Sequence, residues 1–145
     1  MIFKATHAEL SDVASLALKL WPNHTFDEFL QEFIDYINEP SSAVYVAQAN
    51  DAIIGFAHVA LRHDYVEGTA SSPVGYLEGI YIEEPYRNKG FASQLVKACE
   101  AWSIEQGCKE FASDIEIDNN ESYEFHLKNG FIEANQLICF SKKLV

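Results

Sequence analysis

The sequence predicts an α/β fold in which one mixed sheet carries helices on both faces. Three observations predict it. Strand-like and helix-like segments follow one another in the order β-α-α-β-β-β-α-β-α-β. The segments 75–82 and 110–115 flank one long helical stretch, which implies a parallel pair joined by a right-handed crossover. The 145 residues are 48% hydrophobic and 13% aromatic, enough for one core, and no repeat, low-complexity tract or Gly/Ser linker divides residues 1–145.

The elements follow from local pattern. Residues 2–6 are a short strand candidate. Thr6-x-x-Glu9 reads as a capping box, and Leu10, Val13, Ala14, Ala17 and Leu20 follow at helical spacing. Trp21-Pro22-Asn23 breaks that helix. Thr25-x-x-Glu28 is a second capping box, followed by Phe26, Phe29, Leu30, Phe33 and Ile37 on one face. Val44 to Ala49, the turn Asn50-Asp51 and Ile53 to Leu61 predict a hairpin. A polar loop over 64–73 leads to a strand from Gly75 to Ile82. A long helix begins near Phe91 and stops at Gly107, a good C′ residue. A strand from Glu110 to Ile115, a helix from Asn119 to Asn129 closed by Gly130, and a last strand from Leu137 to Ser141 complete the order. A short extra strand near Phe131 also fits.

The formal net charge of −12 argues against nucleic-acid binding, which needs a basic footprint. It suits either a solvated acidic surface or attraction of a polycationic small molecule. No apolar run of about 18 residues exists, so no membrane span is expected. Met1 to Thr6 lacks the pattern of a signal peptide. Cys99, Cys108 and Cys139 are odd in number and widely spaced, with no disulfide framework or metal-ligand spacing. Reduced thiols in the cytoplasm, and no metal, are expected.

The run Arg87-Asn88-Lys89-Gly90-Phe91-Ala92 carries the clearest chemistry. It is a basic, glycine-bearing turn that opens a helix after a strand. A helix start has unpartnered N–H groups and a dipole that favours an anion. Neither G-x-x-x-x-G-K-[ST] nor G-x-G-x-x-G is present, so this is no P-loop and no dinucleotide fingerprint.

This run matches [Q/R]-x-x-G-x-[G/A], the signature of the GNAT superfamily of acyl-CoA-dependent N-acetyltransferases, and the element order agrees. Asn119…Gly130-Phe131 resembles a second segment of that superfamily. A narrower likeness lies in Tyr65-Val66-Glu67-Gly68-Thr69, Ser72 to Tyr81, Glu110 to Asp114, Trp21 and Phe140 to Lys143. These segments look like the aminoglycoside 6′-N-acetyltransferases of Gram-negative type. The resemblance spans nearly the whole chain. It implies a mostly antiparallel central sheet with one parallel pair, direct transfer in a ternary complex, a role in antibiotic resistance, and a homodimer.

The resemblance further implies that acetyl-CoA lies along the strand ending at Ile82. Backbone groups of Ile80, Tyr81 and Ile82 would pair with the pantetheine arm. N–H groups from Arg87 through Asn88, Lys89, Gly90, Phe91 and Ala92 to Ser93 would cradle the pyrophosphate. Asn119 matches a position near the thioester, and it equally suits a helix N-cap. Gly79 within a strand marks a bulge or a close approach of ligand.

Trp21, Tyr65, Glu78 and Asp114 match acceptor-contacting positions, aromatic faces for sugar rings and carboxylates for ammoniums. Trp21 before a proline also suits a core plug, Tyr65 an exposed edge aromatic, and Asp114 a turn cap. Glu78 lies in an apolar strand, where an unpaired carboxylate costs several kcal/mol at the order-of-magnitude level, so it needs a cationic partner or a functional water. Asp114 and Glu78 are both candidates to take the proton of the amine. His126 stands where many superfamily members place a tyrosine acid for the leaving thiolate, and it suits either donation to the CoA sulfur or packing against the cofactor arm. Asn135 stands where the resembled enzymes often carry an acid that reaches the acceptor. The same residues would also suit a polyamine or peptide amine, and the 87–92 turn alone would suit a non-catalytic acyl-CoA sensor. Cys99 falls on the apolar face of its helix and is expected to be buried.

Overall fold

A computed structural model describes all residues from Met1 to Val145. Its elements are β1 (Ile2–Lys4), α1 (Leu10–Leu20), α2 (Phe26–Asn38), β2 (Ser42–Ala49), β3 (Ala52–Arg62), β4 (Val74–Ile82), α3 (Phe91–Glu105), β5 (Phe111–Ser113) and α4 (Asn120–Lys128). The strands form one sheet in the order β1-β2-β3-β4-β5. The first four are antiparallel neighbours, and β5 lies parallel to β4. The expected mixed sheet, with its parallel pair around the long helix, is the fold observed.

Local chemistry explains the helix starts. Thr25 and Glu28 form the full reciprocal capping box at α2. At Thr6 the box is not reciprocal. The Thr6 hydroxyl donates to Glu9 Oε2 at 2.8 Å and accepts from the Ala8 N–H, and the chain makes a 3₁₀ turn over His7–Glu9 before α1 begins. The Asn50-Asp51 turn has φ of 52° and 63°, the left-handed values that suit a tight hairpin.

Two apolar layers sandwich the sheet. On one face, α1 and α2 bring Leu10, Val13, Phe29 and Phe33 against Val44, Val46 and Phe56. On the other, Leu95, Val96, Cys99 and Trp102 of α3 pack on Ala57, Val59 and Leu77. Phe33 and Phe56 are almost fully buried, each stabilising the fold by about 1.5–3 kcal/mol relative to exposure. Cys99 is buried as expected, and burial pushes its thiol up to about 12. No helix is long and apolar enough to cross a membrane.

One expected element is missing. The last strand, Leu137 to Ser141, does not form, nor does a short one near Phe131, and residues 131–145 carry no regular structure. Leu137 is 66% exposed, Ile138 83% and Phe140 92%. The segment has a strand's composition but no neighbouring strand within its own chain, and a strand without a partner leaves its backbone groups to water.

Candidate active site

The turn before α3 is built as an anion cradle. Gly90 is the N-cap of α3 with φ of 90°, and Asn88 also lies in the left-handed region at 61°. No side chain caps the helix, and its first turn holds no acidic residue. The N–H groups of Asn88, Lys89, Gly90, Phe91, Ala92 and Ser93 donate to no acceptor in the protein, and the ladder begins with Gln94 N–H to Gly90 O. A row of free N–H groups at a helix start is the arrangement that holds phosphate. Arg87 braces the turn by donating Nε–H to the Ile82 carbonyl at 2.8 Å, with its guanidinium 5.4 Å from the Tyr81 ring centre.

From the cradle, an open edge leads along β4. The β4–β5 pairing covers only Gly75 to Leu77 and ends at Ser113. The β4 edge from Glu78 to Ile82 on that side, including Ile80 and Tyr81, has no strand beside it. The register between β3 and β4 shifts at His58/Val59, where Val59 faces Leu77 and His58 faces Gly79, leaving Glu78 as the extra residue. A bulge therefore exists where the strand glycine suggested one. Gly79 itself answers to packing: a Cβ there would lie 2.4 Å from Cη2 of Trp21.

Trp21 thus does two things. Its ring packs on Gly79 and lies 5.8 Å from Phe29, and it also walls a cleft of about 600 Å³. The cleft is lined by Tyr36 and His58 and by the carboxylates Glu32, Glu39 and Glu78, and no lysine or arginine lines it. Burial, and then the charges of Glu32 and Glu78, push the Tyr36 phenol up. His58 stacks on Tyr36 at 4.0 Å between ring centres, and its Nε2 lies 2.8 Å from Ser42 Oγ. Burial lowers His58 to about 4, which keeps it neutral.

Glu78 is not left unpaired. Arg62 donates Nη2–H to Oε1 at 2.7 Å and Nε–H to Oε2 at 3.1 Å. The same guanidinium lies 3.4 Å from the Tyr76 ring centre. The Tyr76 hydroxyl donates to Asp114 Oδ2. Burial first, then this bond to Asp114, pushes the Tyr76 phenol up. Glu78 and Asp114 therefore meet around Arg62 and Tyr76, two residues that the sequence reading passed over. The available signal was cross-strand geometry. Arg62 faces Val74, so Tyr76 is its diagonal neighbour.

His126 lies at the end of the same parallel pair. Its Nδ1 is 2.7 Å from the Ser122 carbonyl, which can only accept, so Nδ1 carries a proton. Its Nε2 lies 2.9 Å from Ser113 Oγ. Asn119 is the N-cap of α4, accepting from Ser122 N–H at 3.1 Å. Two positions lie apart from the cleft wall. Tyr65 is 76% exposed in the 64–73 loop. Asn135 donates to Glu67 Oε1 at 2.8 Å and so ties the C-terminal segment to that loop.

A free N–H cradle, an open strand edge and a carboxylate-rich cleft along one strand match the acetyltransferase expectation, and a family comparison decides it. Residues 10–131 match the model of the acetyltransferase (GNAT) family. The chain belongs to the GNAT family. Within it, the chain is 39% identical to aminoglycoside N(6′)-acetyltransferase type 1 of Stenotrophomonas maltophilia, over 99% of this chain and 93% of that protein. It is 37% identical to the enzyme of the same name from Serratia marcescens, over 99% of each chain. Among GNAT structures, it superposes with a TM-score of 0.95 on AAC(6′)-Iy in complex with the bisubstrate analogue CoA-S-monomethyl-acetylneamine. That match has 36% identity and covers 99% of this chain and 97% of that one.

Proposed function

We propose that this protein is an aminoglycoside 6′-N-acetyltransferase that uses acetyl-CoA and confers aminoglycoside resistance. One observation carries the reading: the free N–H groups of residues 88–93 open onto the unpaired β4 edge, which runs to Glu78 beside the acidic, aromatic cleft. The named relatives favour the aminoglycoside over a polyamine or peptide amine, and the carboxylates favour an enzyme over an acyl-CoA sensor.

In this reading the pyrophosphate of acetyl-CoA rests on the 88–93 N–H groups, with Arg87 and Lys89 adding charge. The pantetheine arm pairs with Ile80, Tyr81 and Ile82, and Asn119 stands near the thioester. Both substrates bind together, with the acceptor against Trp21 and Tyr65. The neutral amine attacks the thioester carbonyl carbon, and the electron pair of the C–S bond leaves with the CoA sulfur. The amine proton passes to Asp114, to Glu78 or to water. An N–H group turned out of the ladder by the bulge would stabilise the oxyanion, an effect of about 3–4 kcal/mol per donor. With a proton on Nε2 as well as Nδ1, His126 donates to Ser113 Oγ, and the Ser113 hydroxyl passes its own proton to the leaving thiolate as it takes the one from Nε2. Alignment of amine and thioester supplies much of the acceleration.

The active form in this proposal is a cytoplasmic homodimer. The exposed Leu137, Ile138 and Phe140 support it, since a second copy can supply the strand neighbour that this chain does not. Asn135 then acts at the base of the arm, next to the loop that carries Tyr65.

The test is release of free thiol from acetyl-CoA with kanamycin, tobramycin and further aminoglycosides. Turnover is expected; none across the panel, or turnover of spermidine instead, overturns the reading. Asp114→Asn should lower kcat/KM for the aminoglycoside by about 100-fold or more, with acetyl-CoA affinity nearly unchanged. Equal loss of both would assign Asp114 to the scaffold.

A further inference from the structure

The acceptor side of the site already holds a cation, and it belongs to the protein. The Arg62 guanidinium sits on the Tyr76 ring at 3.4 Å and donates to both oxygens of Glu78. Tyr76 in turn holds Asp114. An aromatic face with two carboxylates around it is the environment that binds an organic cation. Glu78 also lines the cleft. An ammonium entering that cleft and reaching for Glu78 therefore meets a carboxylate already paired through both oxygens with a cation.

We propose that Arg62 is a stand-in cation that occupies the acceptor's ammonium position in the free enzyme and is displaced when the amine binds. The proposal rests on the amine-acetyltransferase reading above. Three observations make displacement feasible. The Arg62 side chain is 42% exposed and that of Glu78 25%, so water already reaches the pair. Arg62 is the last residue of β3, beside the 64–73 loop, so its long side chain can turn outward without breaking the sheet. No other basic residue bonds to Glu78 or Asp114.

The stand-in has a selective consequence. A ligand competes for Glu78 only if it brings a positive charge to that point, so neutral sugars of similar shape are rejected. Exchange of one cation for another also keeps the charge near Glu78 nearly constant through the binding cycle. Apparent affinity for the amine scales with the fraction of molecules in which Glu78 is free, so removing Arg62 should tighten amine binding.

The experiment measures thiol release with tobramycin and acetyl-CoA for wild type, Arg62→Ala and Arg62→Gln, and tobramycin binding for each variant combined with Glu78→Gln. The KM for tobramycin is expected to fall about threefold to fivefold in both single variants, the range that a half-exposed ion pair can supply. The KM for acetyl-CoA should not move. In the Glu78→Gln background, where tobramycin binding is read by calorimetric titration because Glu78 is a candidate proton acceptor, the Arg62 substitutions should no longer tighten binding. An unchanged or raised tobramycin KM, with wild-type turnover intact, overturns the stand-in role and makes Arg62 a holder of Glu78. Equal tightening in the Glu78→Gln background overturns it too. Absence of wild-type turnover with every aminoglycoside removes the underlying reading, and this proposal with it.

Discussion

At the scale of single residues, the site combines groups whose charge is set by their neighbours. His58 shows this most directly. It is buried under Tyr36, bonded to Ser42, and lowered to about 4 against an ordinary 6.5. The unfolded chain takes up a proton as pH falls below 6.5, and the folded chain resists until about 4. The stability that neutral His58 contributes is thus fully present above 6.5 and is lost as pH falls toward 4. Between pH 7 and pH 5 this single group removes about 2 kcal/mol. His58→Gln should abolish that share, so urea unfolding of wild type and variant at the two pH values should show a shallower dependence in the variant. The same logic of neighbours governs Glu78, whose cost within an apolar strand is met by Arg62.

At the scale of elements, the turn into α3 and the bulge in β4 do the positioning. The bulge removes one residue from the β3–β4 register, and so sets Glu78 apart from the ladder beside the cleft. The turn leaves the N–H groups of 88–93 free by placing Asn88 and Gly90 in left-handed backbone. A Cβ at Gly90 would meet only Gln94 Nε2 at 3.8 Å, so space is not the constraint there. The constraint is φ of 90°, which costs an L-residue about 1–2 kcal/mol. Gly90→Ala should therefore destabilise the protein by about that amount in chemical denaturation. Calorimetric titration should show weaker acetyl-CoA binding, with acceptor recognition little altered.

At the scale of the whole molecule, the sheet is sandwiched on both faces, yet its chain ends in an apolar arm that covers nothing. Ile138, Phe140 and Leu144 are each more than 80% exposed. An exposed strand-like segment of this kind is a pairing or aggregation liability unless a second chain takes it up. Sedimentation of wild type should show a dimer, and truncation after Gln136 should give a monomer. A truncated chain that remains dimeric would place the interface elsewhere.

Much of this was legible in the sequence. The strand and helix order, the Thr25–Glu28 cap and the hairpin at Asn50-Asp51 depend on nearby residues, and local periodicity and capping chemistry report them faithfully. So does the cradle at Arg87 to Ala92, because a helix start and its free N–H groups are a local event. The sequence alone also determined the family, since the signature and the later matched segments stand in order along the chain. Tertiary structure decided the rest. That Glu78 is partnered by Arg62, that Tyr76 links this pair to Asp114, and that Trp21 fills the space left by Gly79 are contacts across strands and helices. They are set by strand pairing and helix packing, which periodicity along the chain does not report. The last strand, Leu137 to Ser141, marks the opposite limit. Its composition is that of a strand, but a strand exists only beside another, and within this chain the sheet ends at β5.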